Sequence, residues 1–190
     1  MNDFLDLFSE EECTETIKKL VQKSLKEKMW ISEGMELTAS RKDDLKYWLS
    51  EDPKVLEQYE NRFLIFGQAT HSGSAYAFYK TPGAKNCDEW PVLVLGDEGG
   101  TVILANNIFG LMRFWTLNSV QPYVSTFDYS SFDLFADDGE YEDGGNEAYK
   151  AWIQAEFGIA PLKGIEAAKR EIINPAIKKY QEEIDLIFDD

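Results

Sequence analysis

Histidine is almost missing from this chain: His71 stands alone among 190 residues, and only two cysteines, Cys13 and Cys87, are present. Zinc and iron–sulfur sites draw on closely spaced Cys and His sets, so no such ligand spacing can be written and no metal or cofactor is expected. Two distant cysteines give no disulfide framework, a usage that fits a reducing compartment. Long apolar runs are missing too, none approaching the roughly 20 residues that span a bilayer. The opening MNDFLDLFSEEE lacks the basic start and apolar stretch of a secretory leader. Basic residues are outnumbered 35 to 19, a net charge of −16. That balance speaks against nucleic acid and against an anionic membrane, both of which call for a basic face. With 44% hydrophobic residues the chain can bury a sizeable core. The expectation is one soluble, cytoplasmic domain over residues 1–190.

The scarcity of positive charge is local. Between positions 86 and 149, Arg113 is the single basic residue against 12 carboxylates, while the flanking stretches are close to balanced. A block of one sign steers a cationic partner toward one face, or serves as a solvated surface that keeps the protein soluble.

The N-terminal third reads as helical. Ser9 and Glu12 form a capping-box pattern, and Ile17, Leu20, Val21, Leu25 and Met29 recur at helical spacing, which predicts a helix from about Glu10 to Trp30. Residues 31–39 read as a connector. Ser40 is a cap for a shorter helix with Leu45, Trp48 and Leu49 on one face, and Asp52-Pro53 reads as N-cap and first helical residue. From Arg62 the period changes: RFLIFGQA, GSAYAFYK, PVLVLG and TVILA are strand-like, joined by turn-rich linkers too short for parallel crossovers. In the second of these, Tyr76 and Phe78 fall on one face and Ala75, Ala77 and Tyr79 on the other; PVLVL is apolar throughout and predicts cover on both faces. Asn106 or Asn107 caps the next helix, with Ile108, Leu111, Met112 and Trp115 along one side. Asn146 caps another, ended by Gly158, and a last helix begins near Lys163 with Asn174-Pro175 as a kink or a fresh start. The predicted class is α+β: a helical N-terminal region over 9–60, an antiparallel sheet of at least four strands within about 62–118, and an acidic segment with C-terminal helices over 120–190.

Catalytic signatures are sparse. A Ser-His-Asp triad would need His71, whose neighbours Ser72 and Ser74 share its turn and seldom reach their own base from so close in sequence. GQATHSG lacks the Lys-Ser/Thr of a phosphate loop. GDEGG reads as a hairpin turn, its adjacent Asp97 and Glu98 too exposed to form an acid–base pair. ADDGEYEDGG fails as an EF-hand, because Leu134 falls where the first carboxylate ligand belongs. The chain reads as no enzyme.

One segment stands apart. Phe127–Asp143, FDYSSFDLFADDGEYED, holds seven carboxylates, no base, and Phe127, Tyr129, Phe132, Phe135 and Tyr141 interleaved. Such aromatics either pack down to fix the segment or serve as rigid anchors for a basic partner. The expected partner-binding residues are Asp133, Phe135, Asp137, Asp138, Glu140, Tyr141, Glu142 and Asp143, joined by Asp97 and Glu98.

RFLIFGQATHSGSAYAFY followed by EWPVLVLGDEGGTVILANNIFGLMRFW resembles the SUKH superfamily, whose namesake is a yeast cell-wall synthesis regulator and which is abundant in bacteria. The likeness covers about residues 62–118: a strand ending in Gly67, an aromatic strand after Gly73, Pro91-Val92 opening an apolar strand, a hairpin at Gly96–Gly100, and Ala105 leading into a helix with Leu111 and Trp115. The family's usual Leu-Pro-x-x-Tyr/Phe element is missing, since this chain has no Leu-Pro pair. The resemblance implies an α+β fold, no established catalytic residues, and a binding role. Many bacterial members are thought to be immunity proteins that neutralise toxins, often nucleases. The leading expectation is therefore an immunity protein that binds a basic toxin through its acidic surface. A regulatory or scaffolding protein of the cell-wall-regulator type is the second, and an enzyme or small-molecule binder using a cleft near Gly67, His71 and Asp97 the third.

Overall fold

The structure is a computed structural model that describes residues 4–39, 42–49, 52–124, 132–136 and 145–188. Five strands, β1 (Glu36–Leu37), β2 (Phe63–Gln68), β3 (Ala75–Tyr79), β4 (Val92–Leu95) and β5 (Thr101–Ala105), form one antiparallel sheet in sequence order. The α+β class and the four-strand meander predicted above are both present, and β1 adds an edge strand within the expected connector.

Strand alternation sorts the sheet's side chains into two cores. Leu64, Phe66, Tyr76, Phe78, Val94 and Leu104 pack with Ile17, Leu20, Trp90, Leu111 and Trp115. Phe63, Ile65, Ala77, Tyr79, Leu93 and Ile103 pack with Leu45, Leu49, Ile184 and Ile187 on the opposite side. Helices α1 (Glu15–Val21), α3 (Ile108–Phe114) and α4 (Glu147–Phe157) thus contribute to the first face. Helices α2 (Pro53–Tyr59) and α6 (Asn174–Phe188) cover the second. Every residue of β4 is buried, as its unbroken apolar run predicts.

The N-terminal helix is shorter than its periodicity suggests. Ser9 and Glu12 do bond, Ser9 N–H to Glu12 Oε2 at 3.0 Å, but they close a turn rather than open a helix. Thr14 is the actual N-cap of α1: its hydroxyl accepts Ile17 N–H and donates to Asp88, whose other oxygen takes the Thr16 hydroxyl. After α1 a π-helical turn over Gln22–Lys26 follows, and Lys28 at φ 54° ends the run before Trp30. Ser40 lies outside the described residues; Lys42–Tyr47 is a 3₁₀ helix. Asp52 caps α2 as expected, its carboxylate accepting Lys54 N–H at 2.8 Å. Near the C-terminus, α5 (Ile165–Ala168) passes through a π-helical turn at Lys169–Ile173 into α6. Pro175 falls inside this continuous helical run, directly after the π-helical turn, whose wider geometry lets the helix pass a residue that has no N–H to donate.

The segment after α3 holds a second, two-stranded sheet: β6 (Val120–Val124) and β7 (Phe132–Ala136), antiparallel, with Tyr123 opposite Asp133 and Gln121 opposite Phe135. Val120, Val124 and Leu134 face the first core, so the hairpin lies down on the domain by one side.

Candidate protein-binding surface

The turns β2–β3 and β4–β5 leave the sheet at the same end, and β1 begins there. Two hydrogen bonds tie the turns together: Ser74 Oγ donates to Asp97 Oδ1 at 2.5 Å, and Asp97 N–H donates back to Ser74 Oγ at 3.2 Å. Trp48 Nε1 donates to Gly96 O at 2.8 Å from the other side of the sheet. The β6–β7 hairpin crosses this end closely; a Cβ on Gly96 would stand 2.6 Å from Val124 O. Gln121 Oε1 accepts His71 N–H at 2.9 Å, and the Tyr123 hydroxyl donates to Glu98 Oε2. The hairpin is thereby fastened to both turns.

Its outward side is acidic and aromatic. Phe135 is 51% exposed and meets Tyr123 edge-to-face, centroids 5.5 Å apart. Asp133 is exposed in the same row as Phe135. Trp30, 55% exposed, is held by Nε1–H donation to Asn118 Oδ1 at 2.9 Å, just before β6. Glu33 N–H donates to Asn118 O at 3.0 Å, and His71 Nε2 lies 3.7 Å from Glu33 Oε1. Trp30, Glu33, Asp97, Glu98, Tyr123, Asp133 and Phe135 therefore belong to one continuous end of the molecule.

The cations of several ion pairs are committed elsewhere. Arg113, alone in the acidic stretch, turns to the C-terminal segment, donating to Ala160 O at 2.9 Å and Glu171 Oε2 at 2.7 Å. Lys80 pairs with Glu12, Arg62 with Glu183 and Lys19 with Glu156. Hydrogen bonds from Arg170 and Arg113 hold the Glu171 carboxyl below its ordinary value.

Of the residues expected to bind a partner, Asp97, Glu98, Asp133 and Phe135 come together, with Asp97 also serving as the latch between turns. Asp137, Asp138, Glu140, Tyr141, Glu142 and Asp143 lie outside the described residues. Of the interleaved aromatics, Phe132 packs against the core and Phe135 faces out, while Phe127, Tyr129 and Tyr141 lie outside the described residues. Trp30, Glu33 and Tyr123 escaped the sequence reading. The period-two pattern of VQPYV and FDLFA was the available signal for the hairpin that carries Tyr123.

Gly67, His71 and Asp97 are engaged in holding elements together. A Cβ on Gly67 would stand 2.8 Å from Glu36 O, so this glycine lets β1 approach β2 beside the bulge after Ile65. Ser72 Oγ pairs with Thr70 Oγ1 at 2.9 Å and Ser74 with Asp97, while the His71 side chain is largely exposed. A cleft of about 410 Å³ opens over α3, with Phe109, Arg113, Ile159 and Ile172 in its walls. Among the described residues no group of three or more His, Cys, Asp or Glu could hold a metal ion, and no helix is long and apolar enough to cross a membrane. Comparison with known proteins finds no matching family model, no matching curated protein and no matching solved structure.

Proposed function

We propose that the chain is a protein-binding module whose acidic, aromatic end captures a basic protein, and that it acts in the cytoplasm as an immunity protein against a nuclease-type toxin. The observation that carries this reading is the composite face on which exposed Trp30 and Phe135 stand among Glu33, Asp97, Glu98 and Asp133. Large aromatics held in place by neighbours lose little entropy on contact, and carboxylates around them favour a cationic partner. A nuclease cleft is built to receive phosphates, so a rigid row of carboxylates can occupy it. The resemblance of residues 62–118 to the SUKH superfamily supports the same reading.

The test is a titration of the purified chain against the basic protein encoded beside its gene, at 50 and 500 mM salt. Binding that weakens steeply with salt, together with loss of the partner's nuclease activity at one equivalent, is expected. Binding indifferent to salt, or none, overturns the reading.

A further inference from the structure

Cys13 and Cys87, far apart in sequence, converge where the N-terminal turn crosses the β3–β4 connection. Cys87 N–H donates to the carbonyl of Glu12 at 3.3 Å. That carbonyl is bonded to the nitrogen of Cys13, so backbone dimensions place the two α-carbons roughly 5–7 Å apart, around the separation that a disulfide bridges. The side chain of Cys87 is turned to the same segment, its Sγ 3.3 Å from Thr14 Oγ1. The thiols differ in access: Cys87 is buried and Cys13 is half-buried. The surrounding contacts already clamp the crossing, since Asp88 takes the hydroxyls of Thr14 and Thr16 and Lys80 pairs with Glu12.

We propose that Cys13 and Cys87 are an intramolecular disulfide site that closes when the chain meets a hydroperoxide. Cys13, the accessible partner, is oxidised first: its sulfur takes one oxygen from hydrogen peroxide, the O–O bond breaks, and water leaves. The Cys87 sulfur then attacks the Cys13 sulfenic acid, the S–O bond breaks, and the hydroxyl departs with the Cys87 proton as a second water. Two thiols and one peroxide yield one disulfide and two waters, the two electrons passing from sulfur to peroxide. The bond staples the N-terminal segment to the β3–β4 connection across a long loop and restricts the unfolded chain.

The test treats the full chain at low micromolar concentration with hydrogen peroxide, alkylates remaining thiols, and digests with trypsin without reductant. The expected product is the peptide ending at Lys18 joined to the peptide Asn86–Arg113, lighter than the sum of the two by two hydrogens. The melting temperature of the undigested, oxidised chain should rise by about 10 °C and return on adding dithiothreitol. Cys13→Ser, at the half-buried position, should keep the reduced chain's melting temperature and abolish both the cross-link and the shift. Recovery of Cys87 fully alkylated after unfolding, Cys13 as sulfinic acid, or only a dimer joined through Cys13 overturns the proposal.

Discussion

Glu12 shows how one side chain joins separate parts of the chain. Its carboxylate accepts the Ser9 N–H locally and the Lys80 ammonium at 2.6 Å, and Lys80 also lies 4.9 Å from the Trp90 ring centroid. Burial raises the Glu12 carboxyl, but the Lys80 and Ser9 hydrogen bonds outweigh it and leave the group below its ordinary value of 4.5. A depressed folded value means the stabilisation is fully present above the unfolded value and is lost as pH falls through the folded one. Urea titrations between pH 5 and pH 3 should therefore show Glu12→Gln losing less stability on acidification than the parent. At pH 7, Lys80→Met should cost on the order of 1 kcal/mol. Equal acid slopes for parent and Glu12→Gln would remove Glu12 from this account. The Ser9–Glu12 pairing was legible in the sequence as a local pattern. Its attachment to Lys80 was not, because spacing along a chain carries no record of which strand end folds back beside it.

Elements were legible where one side chain pattern served two buried faces. Ala75–Tyr79 alternates small and aromatic residues, and its five side chains divide between the two cores as the alternation predicts. β1 was illegible because two residues have no period; its place is set by Gly67, whose missing Cβ admits the Glu36 carbonyl. The ladder ends at β5, whose free edge is met by a side chain of α6. The Gln181 carboxamide accepts Ile103 N–H at 2.8 Å and donates to Thr101 O at 2.9 Å, reproducing the two bonds of a neighbouring strand. Gln181→Leu keeps the helix and removes both partners, so it should cost about 1–3 kcal/mol through the unpaired backbone groups. It should also expose a strand edge that pairs between molecules. Urea unfolding and light scattering across a concentration series check the two effects. A variant equally stable and monomeric at every concentration would show that α6 covers the edge without Gln181.

At the scale of the molecule, the sheet has two covered faces and is left to present its turns at one end. The Ser74–Asp97 latch fixes the two turns to each other, and the Tyr123–Glu98 and Gln121–His71 bonds fix the hairpin over them. Charge and contact are separable on such a surface, which gives the proposed interface a kinetic signature. Asp133 is exposed and Glu98 stands at the rim, where carboxylates act over distance before contact. Asp133→Lys should therefore lower the association rate for a basic partner by a few-fold to about tenfold at low salt, with little change in dissociation, and the loss should shrink at high salt. Trp30 and Phe135 offer area that matters only after docking. Trp30→Ala and Phe135→Ala should speed dissociation by about tenfold or more and leave the salt dependence of association intact. Surface plasmon resonance at two salt concentrations resolves both rates for each variant. The opposite assignment, with the aromatic variants slowing association and the charge variant speeding dissociation, is incompatible with a steering rim around aromatic anchors. Unchanged rates in all three variants would instead point to an acidic surface that keeps the protein soluble and a partner bound elsewhere.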